Sequence, residues 1–111
     1  MSYTKIERAL ESVLPGAVYK VQAPIEDTSG NPITRYLVWT PTGERYEYAD
    51  GKPFATVHTA VVTVGTQTED DDLPRKVTAA LAEARVAMQP PEHSYDDELA
   101  TYFTDIPCEV I

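Results

Sequence analysis

The segment Thr56 to Gly65, TVHTAVVTVG, restricts the fold more than any other part of the chain. β-Branched side chains are stiff about χ1 and pack well on a pleated surface, so a run this rich in Val and Thr reads as a strand. Alternation puts Val57, Thr59, Val61 and Thr63 on one face and His58, Ala60, Val62 and Val64 on the other. It is expected to be the longest strand and to lie centrally in a sheet, with the rest of the chain supplying partners and cover.

Two helical stripes are the obvious cover. Ile6, Ala9, Leu10, Val13 and Leu14 recur at the spacing of one helical face, with Lys5, Arg8, Glu11 and Ser12 opposite. Thr4 and Glu7 have the spacing of a capping box, and Pro15 and Gly16 end the helix. A second stripe runs through Leu73, Val77, Ala80, Leu81, Ala84 and Met88 until Pro90 and Pro91 stop it. Its start falls in the acidic run Glu69 to Asp72, which suits the positive end of a helix dipole, and Pro74 fits the first turn, where no N–H is needed.

Further strands are expected at Ala17 to Gln22 and at Arg35 to Thr40 (RYLVWT), the latter apolar enough for a central position. Between them Glu26 to Pro32 reads as a loop, with Gly30 and Asn31 tolerant of positive φ. Pro41, Thr42 and Gly43 make a turn, Glu44 to Tyr48 a short strand, and Asp50, Gly51, Lys52 and Pro53 a second turn. His93 to Tyr95, a turn at Asp96 to Glu98, and Thr101 to Val110 form a terminal hairpin whose last strand, through Pro107, is expected at an edge or a bulge. The order α-β-β-(β)-β-α-β-β predicts an α+β fold, two helices packed on a mostly antiparallel sheet. At 111 residues one core is expected, hence a single domain spanning 1–111.

Charge narrows the partners. The net charge is −9, and residues 55 to 111 carry eleven Asp/Glu against three Lys/Arg. Such a surface repels phosphates, so tight nucleic-acid binding is disfavoured while DNA could slide past without sticking. No apolar run approaches bilayer length, and Met1 to Pro15 is charged and amphipathic where a signal peptide would be uniformly apolar, so no membrane role is expected. The single Cys108 excludes an internal disulfide, suits reducing cytoplasm and is expected to be buried.

No catalytic centre is legible. Glu69, Asp70, Asp71 and Asp72 lack the alternating spacing of a calcium loop, so a solvated helix start explains them better than Mg²⁺ or Ca²⁺. Asp96, Asp97 and Glu98 follow His93 closely, but a polar turn accounts for them. His58 on a predicted strand and His93 in a predicted loop each read as a single packed or exposed histidine, and a hydrolytic triad is not expected. Tyr36, Trp39, Tyr46, Tyr48 and Phe54 cluster within twenty positions with only Arg35, Arg45 and Lys52 nearby, too few cations for a nucleic-acid stacking platform. They are expected in the core where they lie on strands, and at a subunit interface where they stay exposed. No enzyme activity, metal or cofactor is expected. The alternatives are an acidic DNA mimic that binds a basic regulatory protein and, ranked last, a small metal-dependent enzyme.

The succession of Arg35 to Thr40, the YADGKP turn at Tyr48 to Pro53, Thr56 to Thr66, the helix Leu73 to Met88 and the hairpin Tyr95 to Val110 resembles the tail-terminator (tail-completion, head–tail joining) proteins of tailed phages and prophages. The resemblance implies a subunit that self-assembles, usually as a hexameric ring, caps the tail tube and joins it to the head connector in the virion tail or neck after synthesis in a bacterial cytoplasm. DNA would then be passing cargo, and the carboxylates of Glu69 to Asp72 or Asp96 to Glu98 would face the lumen or a rim. The acidic run at Glu69 to Asp72 exceeds what the pattern requires.

Overall fold

The computed structural model describes residues 3–24, 26, 29, 30 and 32–110, with the backbone alone at 53 and 54. The elements are α1 (Tyr3–Val13), β1 (Val18–Lys20), β2 (Tyr36–Ala49), β3 (Lys52–Thr66), α2 (Leu73–Glu83), β4 (Ala87–Met88), β5 (Glu92–Asp96) and β6 (Thr101–Val110). One sheet runs in the order β1-β2-β3-β6-β4, and β5 also pairs with β6 beside β4. Every pairing is antiparallel except β1 with β2. This is the expected α+β arrangement, two helices on a mostly antiparallel sheet.

The register explains where the core sits. Leu37 pairs with Val64 and Val64 with Thr104, while Trp39 pairs with Val62 and Val62 with Ile106. Period-two alternation therefore lines these residues, with Ala60, Cys108 and Val110, along one face. Ile6 and Leu10 of α1 and Leu73, Val77 and Leu81 of α2 are fully buried in the same cluster. On the other face Tyr36 lies over Gly65, where an added Cβ would sit 2.5 Å from the tyrosine ring.

β3 is the longest strand and is paired on both sides, as its β-branched run predicts. It also starts four residues earlier than expected, and β2 runs nine residues past Thr40. The expected turn at Pro41 to Gly43 is a bulge instead. Pro41 pairs with Ala60 and Gly43 with Thr59, leaving Thr42 as the extra residue. Gly43 has φ 147°, a value side chains resist, and β1 covers only Leu37 to Trp39, so this part of β2 has an open outer side where a proline is tolerated. The real reversal is shorter than the predicted four residues: Asp50 (φ 53°) and Gly51 (φ 77°) alone connect Ala49 to Lys52, the paired positive angles of a type I′ hairpin turn.

Other expectations are also corrected, β1 being shorter than Ala17 to Gln22 and β5 longer than His93 to Tyr95. α1 already includes Tyr3, which places Thr4 inside the helix rather than at its cap. Tertiary contacts hold that first turn: the Tyr3 ring stacks on Trp39 with centroids 5.6 Å apart, and its hydroxyl lies 3.1 Å from both the Gly43 and Thr59 carbonyl oxygens. α2 stops at Glu83 rather than Met88, because Arg85 takes φ 62° and the Arg85 and Val86 amides donate to the Ala82 and Leu81 carbonyls. This is a Schellman ending without the usual glycine, and it frees Ala87 and Met88 to form β4. β6 is not an edge strand: it lies between β3 and the β4/β5 side. Pro107 falls between the end of β4, across from Cys108, and the start of β5, across from Asp105; there the Gln89 amide donates to the Pro107 carbonyl at 2.9 Å, a bond that needs no N–H from the proline. In the expected loop, Glu26 bridges Pro32 and Gly30 has φ 81°, whereas Asn31 lies outside the described residues.

Candidate interaction groove

The turn between β3 and α2 and the hairpin β5–β6 enclose a groove of about 1010 Å³. Glu69, Asp70, Asp71 and Asp72 line one side with Pro74, Arg75 and Thr78 of α2, while Pro91, His93, Tyr95, Tyr102 and Thr104 line the other. The hairpin register puts His93 opposite Thr104 and Tyr95 opposite Tyr102, on the helix-bearing face of the sheet. α2 stops short of covering them, so this part of the face stays open.

The four adjacent carboxylates do different work. Asp71 receives both forks of Arg35, Nη2 to Oδ1 at 2.9 Å and Nε to Oδ2 at 3.0 Å, and its Oδ1 also accepts the Leu73 amide at 2.9 Å. The first N–H of α2 is thus satisfied from Asp71, while Asp72 occupies the cap position without a side-chain cap bond. The hydrogen-bonded Arg35 guanidinium is the main reason the Asp71 carboxyl is held below the usual carboxylate range. Asp72 is 3.5 Å from Arg35 and 3.4 Å from Lys76, one helical turn on. Glu69 and Asp70 are exposed and have no ion-pair partner among the described residues.

The second acidic group does not enter the groove. Asp96 Oδ1 accepts the Leu99 amide at 3.0 Å and helps close the hairpin turn, where Ala100 takes φ 49°. Asp97 and Glu98 are exposed at its tip. Of the seven carboxylates singled out by sequence, Asp71, Asp72 and Asp96 support local structure; Glu69, Asp70, Asp97 and Glu98 face water.

His93 shares the groove with the acidic run, which sequence distance had hidden, and its Nδ1 is 2.9 Å from Thr104 Oγ1. Among the described residues no three His, Cys, Asp or Glu side chains are placed to hold a metal ion. His58 is elsewhere, edge-on to Tyr3 with centroids 5.1 Å apart. Its Nδ1 is buried and 3.3 Å from Glu44 Oε1, yet not in hydrogen-bond geometry. Burial pushes the Cys108 thiol up to about 11, as befits a small core residue.

Sequence reasoning missed the Arg35–Asp71 clamp, whose partners are 36 positions apart, and the arm formed by the far ends of β2 and β3. Beyond Trp39 β1 no longer pairs with β2, and before His58 β6 no longer pairs with β3, so Arg45 to Ala49 and Lys52 to Val57 pair only with each other among the described residues. Tyr46 and Tyr48 are 53% and 61% exposed there, unlike Trp39 at 5%. The Phe54 side chain lies outside the described residues. Arg45 braces the arm's base through both its contact with Glu109 and one with Glu47 at 3.2 Å. The alternation of Tyr46 and Tyr48 around Asp50-Gly51 was the available signal.

No family model matches the chain, and no curated protein sequence does. Among solved structures it is similar to a chain of the particle described as "Virion of native gene transfer agent (GTA) particle", with a TM-score of 0.60 and 17% identity over 98% of this chain and 90% of that one. What the two share is a fold. The similarity spans both helices and the whole sheet rather than one motif. No helix among the described residues is long and apolar enough to cross a membrane.

Proposed function

We propose that this chain is a structural protein of a phage-derived virion, specifically a tail-terminator or tail-completion subunit that forms a ring, caps the tail tube and joins it to the head connector. The observation that carries the reading is the near end-to-end likeness to a chain of a gene transfer agent virion. The succession of strands, turns and helix from Arg35 to Val110 supports the narrower assignment, through its resemblance to tail-terminator proteins. Its role is structural rather than catalytic, and DNA is cargo that passes.

The groove and the exposed arm fit such a subunit. An assembly protein needs surface that its own core does not use, and exposed tyrosines on an otherwise unsupported hairpin are surface of that kind. The net charge of −9 suits a wall past which a polyanion moves without adhering. Glu69, Asp70, Asp97 and Glu98 are the carboxylates free to face a lumen or rim, while Asp71, Asp72 and Asp96 hold the turns that present them.

Electron microscopy and light scattering over a range of protein concentrations test the ring directly: ring-shaped particles are expected, and a chain that stays monomeric and is absent from purified virions overturns the reading. Neutralising Glu69, Asp70, Asp97 and Glu98 together is expected to alter assembly or DNA passage. Normal particles that deliver DNA at the wild-type rate would remove the lumen assignment.

A further inference from the structure

The groove borders a strand with an open edge. β5 pairs with β6 on one side, and among the described residues no strand pairs with its other side. Glu92, His93, Ser94 and Tyr95 are all exposed. An unpaired strand edge is a template for one more strand, and main-chain hydrogen bonds along it give affinity to any extended segment whose side chains suit the neighbouring surface.

That surface has a distinct chemistry. Facing β5 across the groove are Glu69 and Asp70, the two carboxylates of the run that have no ion-pair partner among the described residues. Tyr95 and Tyr102 pack against each other on the floor with ring centroids 4.5 Å apart, offering aromatic faces over which a guanidinium can lie. Arg75 is the cation on the wall, and Glu92 and Asp96 mark the two ends of the open strand. A second copy's β5 is a poor match, because it would bring the same carboxylates against these.

We propose that β5 accepts an extended, cationic segment of a partner protein as an added strand, with the partner's Arg or Lys side chains meeting Glu69 and Asp70 and lying over Tyr95 and Tyr102. The proposal rests on the reading of the chain as an assembly subunit, places Glu69 and Asp70 at a rim contact and leaves the lumen to Asp97 and Glu98, and assigns the groove to a neighbour in that assembly rather than to another copy of the chain. Edge pairing supplies the main-chain bonds, and the carboxylates select for positive charge and against the acidic strands of this protein itself.

The test uses the full chain and a defined probe, a capped octapeptide of alternating arginine and valine. Amide exchange followed by NMR is expected to show protection of Glu92 to Asp96 on titration with the peptide. The combined Glu69→Gln and Asp70→Asn variant is expected to weaken binding about tenfold, a loss that shrinks with salt. The same peptide N-methylated at alternate residues keeps its charge but cannot form the ladder, and it is expected to bind far more weakly. Equal binding of the N-methylated peptide, equal binding of a glutamate–valine counterpart, no loss in the double variant, or shifts scattered over the surface without protection of β5 would each overturn the proposal. If rings and virions incorporate the chain while the peptide fails at β5, the groove assignment falls and the virion reading stands. Capture at β5 by a chain that never enters a particle has the opposite meaning.

Discussion

Gly65 and Asp71 show how single side chains set the fold's tolerances. Gly65 has ordinary strand geometry, so its requirement is steric: the Tyr36 ring occupies the space of a side chain. Burial there also pushes the Tyr36 phenol above its ordinary value. Gly65→Ala is expected to destabilise the protein by about 1 to 3 kcal/mol through overpacking, measured as a lower urea midpoint at unchanged slope. Adding Tyr36→Ala is expected to recover part of the loss, because it vacates the contested volume; an additive double variant would mean that the strain lies elsewhere. Asp71 acts through charge. Its carboxyl titrates lower in the folded chain than in the unfolded one, so its pairing with Arg35 contributes stability that is complete above the unfolded value, about 3.9, and is lost as pH falls through the lower folded value. Comparing wild type with Asp71→Asn should show a stability gap that is constant from neutral pH down to about 5 and narrows at more acid pH. A gap that does not change with pH would leave only the hydrogen bonds to Leu73 and Arg35 as Asp71's contribution.

At the scale of elements, the ends of α2 are informative. The start is fixed by Asp71 reaching the Leu73 amide with Pro74 in the first turn, and the finish by Arg85 in the left-handed region with Val86 tucked into the core. A residue with a Cβ is strained at that position by roughly 1 kcal/mol. Arg85→Gly should therefore raise the unfolding free energy by about 0.5 kcal/mol, after the loss from glycine's freer unfolded chain; a lower melting temperature would contradict this account. Leu81→Ala, which removes a fully buried anchor from the same helix, should lower it by about 2 to 5 kcal/mol. These ends also mark what sequence could carry. The apolar stripes and the β-branched run were legible because they record burial, and burial follows local periodicity. The end of α2 was not, because its left-handed residue is an arginine instead of a glycine. Pro41 and Pro107 misled for a related reason: whether a proline breaks a strand depends on what lies beside it, and both sit where, among the described residues, the ladder of named strands on one side is interrupted. The candidate groove was half legible, since the acidic run and His93 were visible separately, but their meeting depends on β6 lying next to β3.

Taken whole, the molecule measures 53 × 27 × 25 Å, long for its size because β2 and β3 outrun the rest of the sheet. Past their last outside partners the two strands continue as an arm of roughly 20 Å, at about 3.4 Å per residue. A lone two-stranded hairpin is marginal in water, so this one needs either its brace at Arg45 and Glu109 or a surface to lie on. The two needs separate experimentally. Tyr46 and Tyr48 are mostly exposed, so replacing both with serine should change stability by no more than about 0.5 kcal/mol per site. If the arm is a subunit contact, as the virion reading requires of exposed aromatic residues, the same variant should lose self-association or incorporation into particles while its thermal unfolding stays near wild type. Arg45→Ala should act differently: it releases the arm from Glu109, and proteolysis near Asp50 should speed up before any change in global unfolding. A tyrosine double variant that assembles normally would move the interface off the arm and leave the groove as the main candidate for the contacts that the proposed assembly requires.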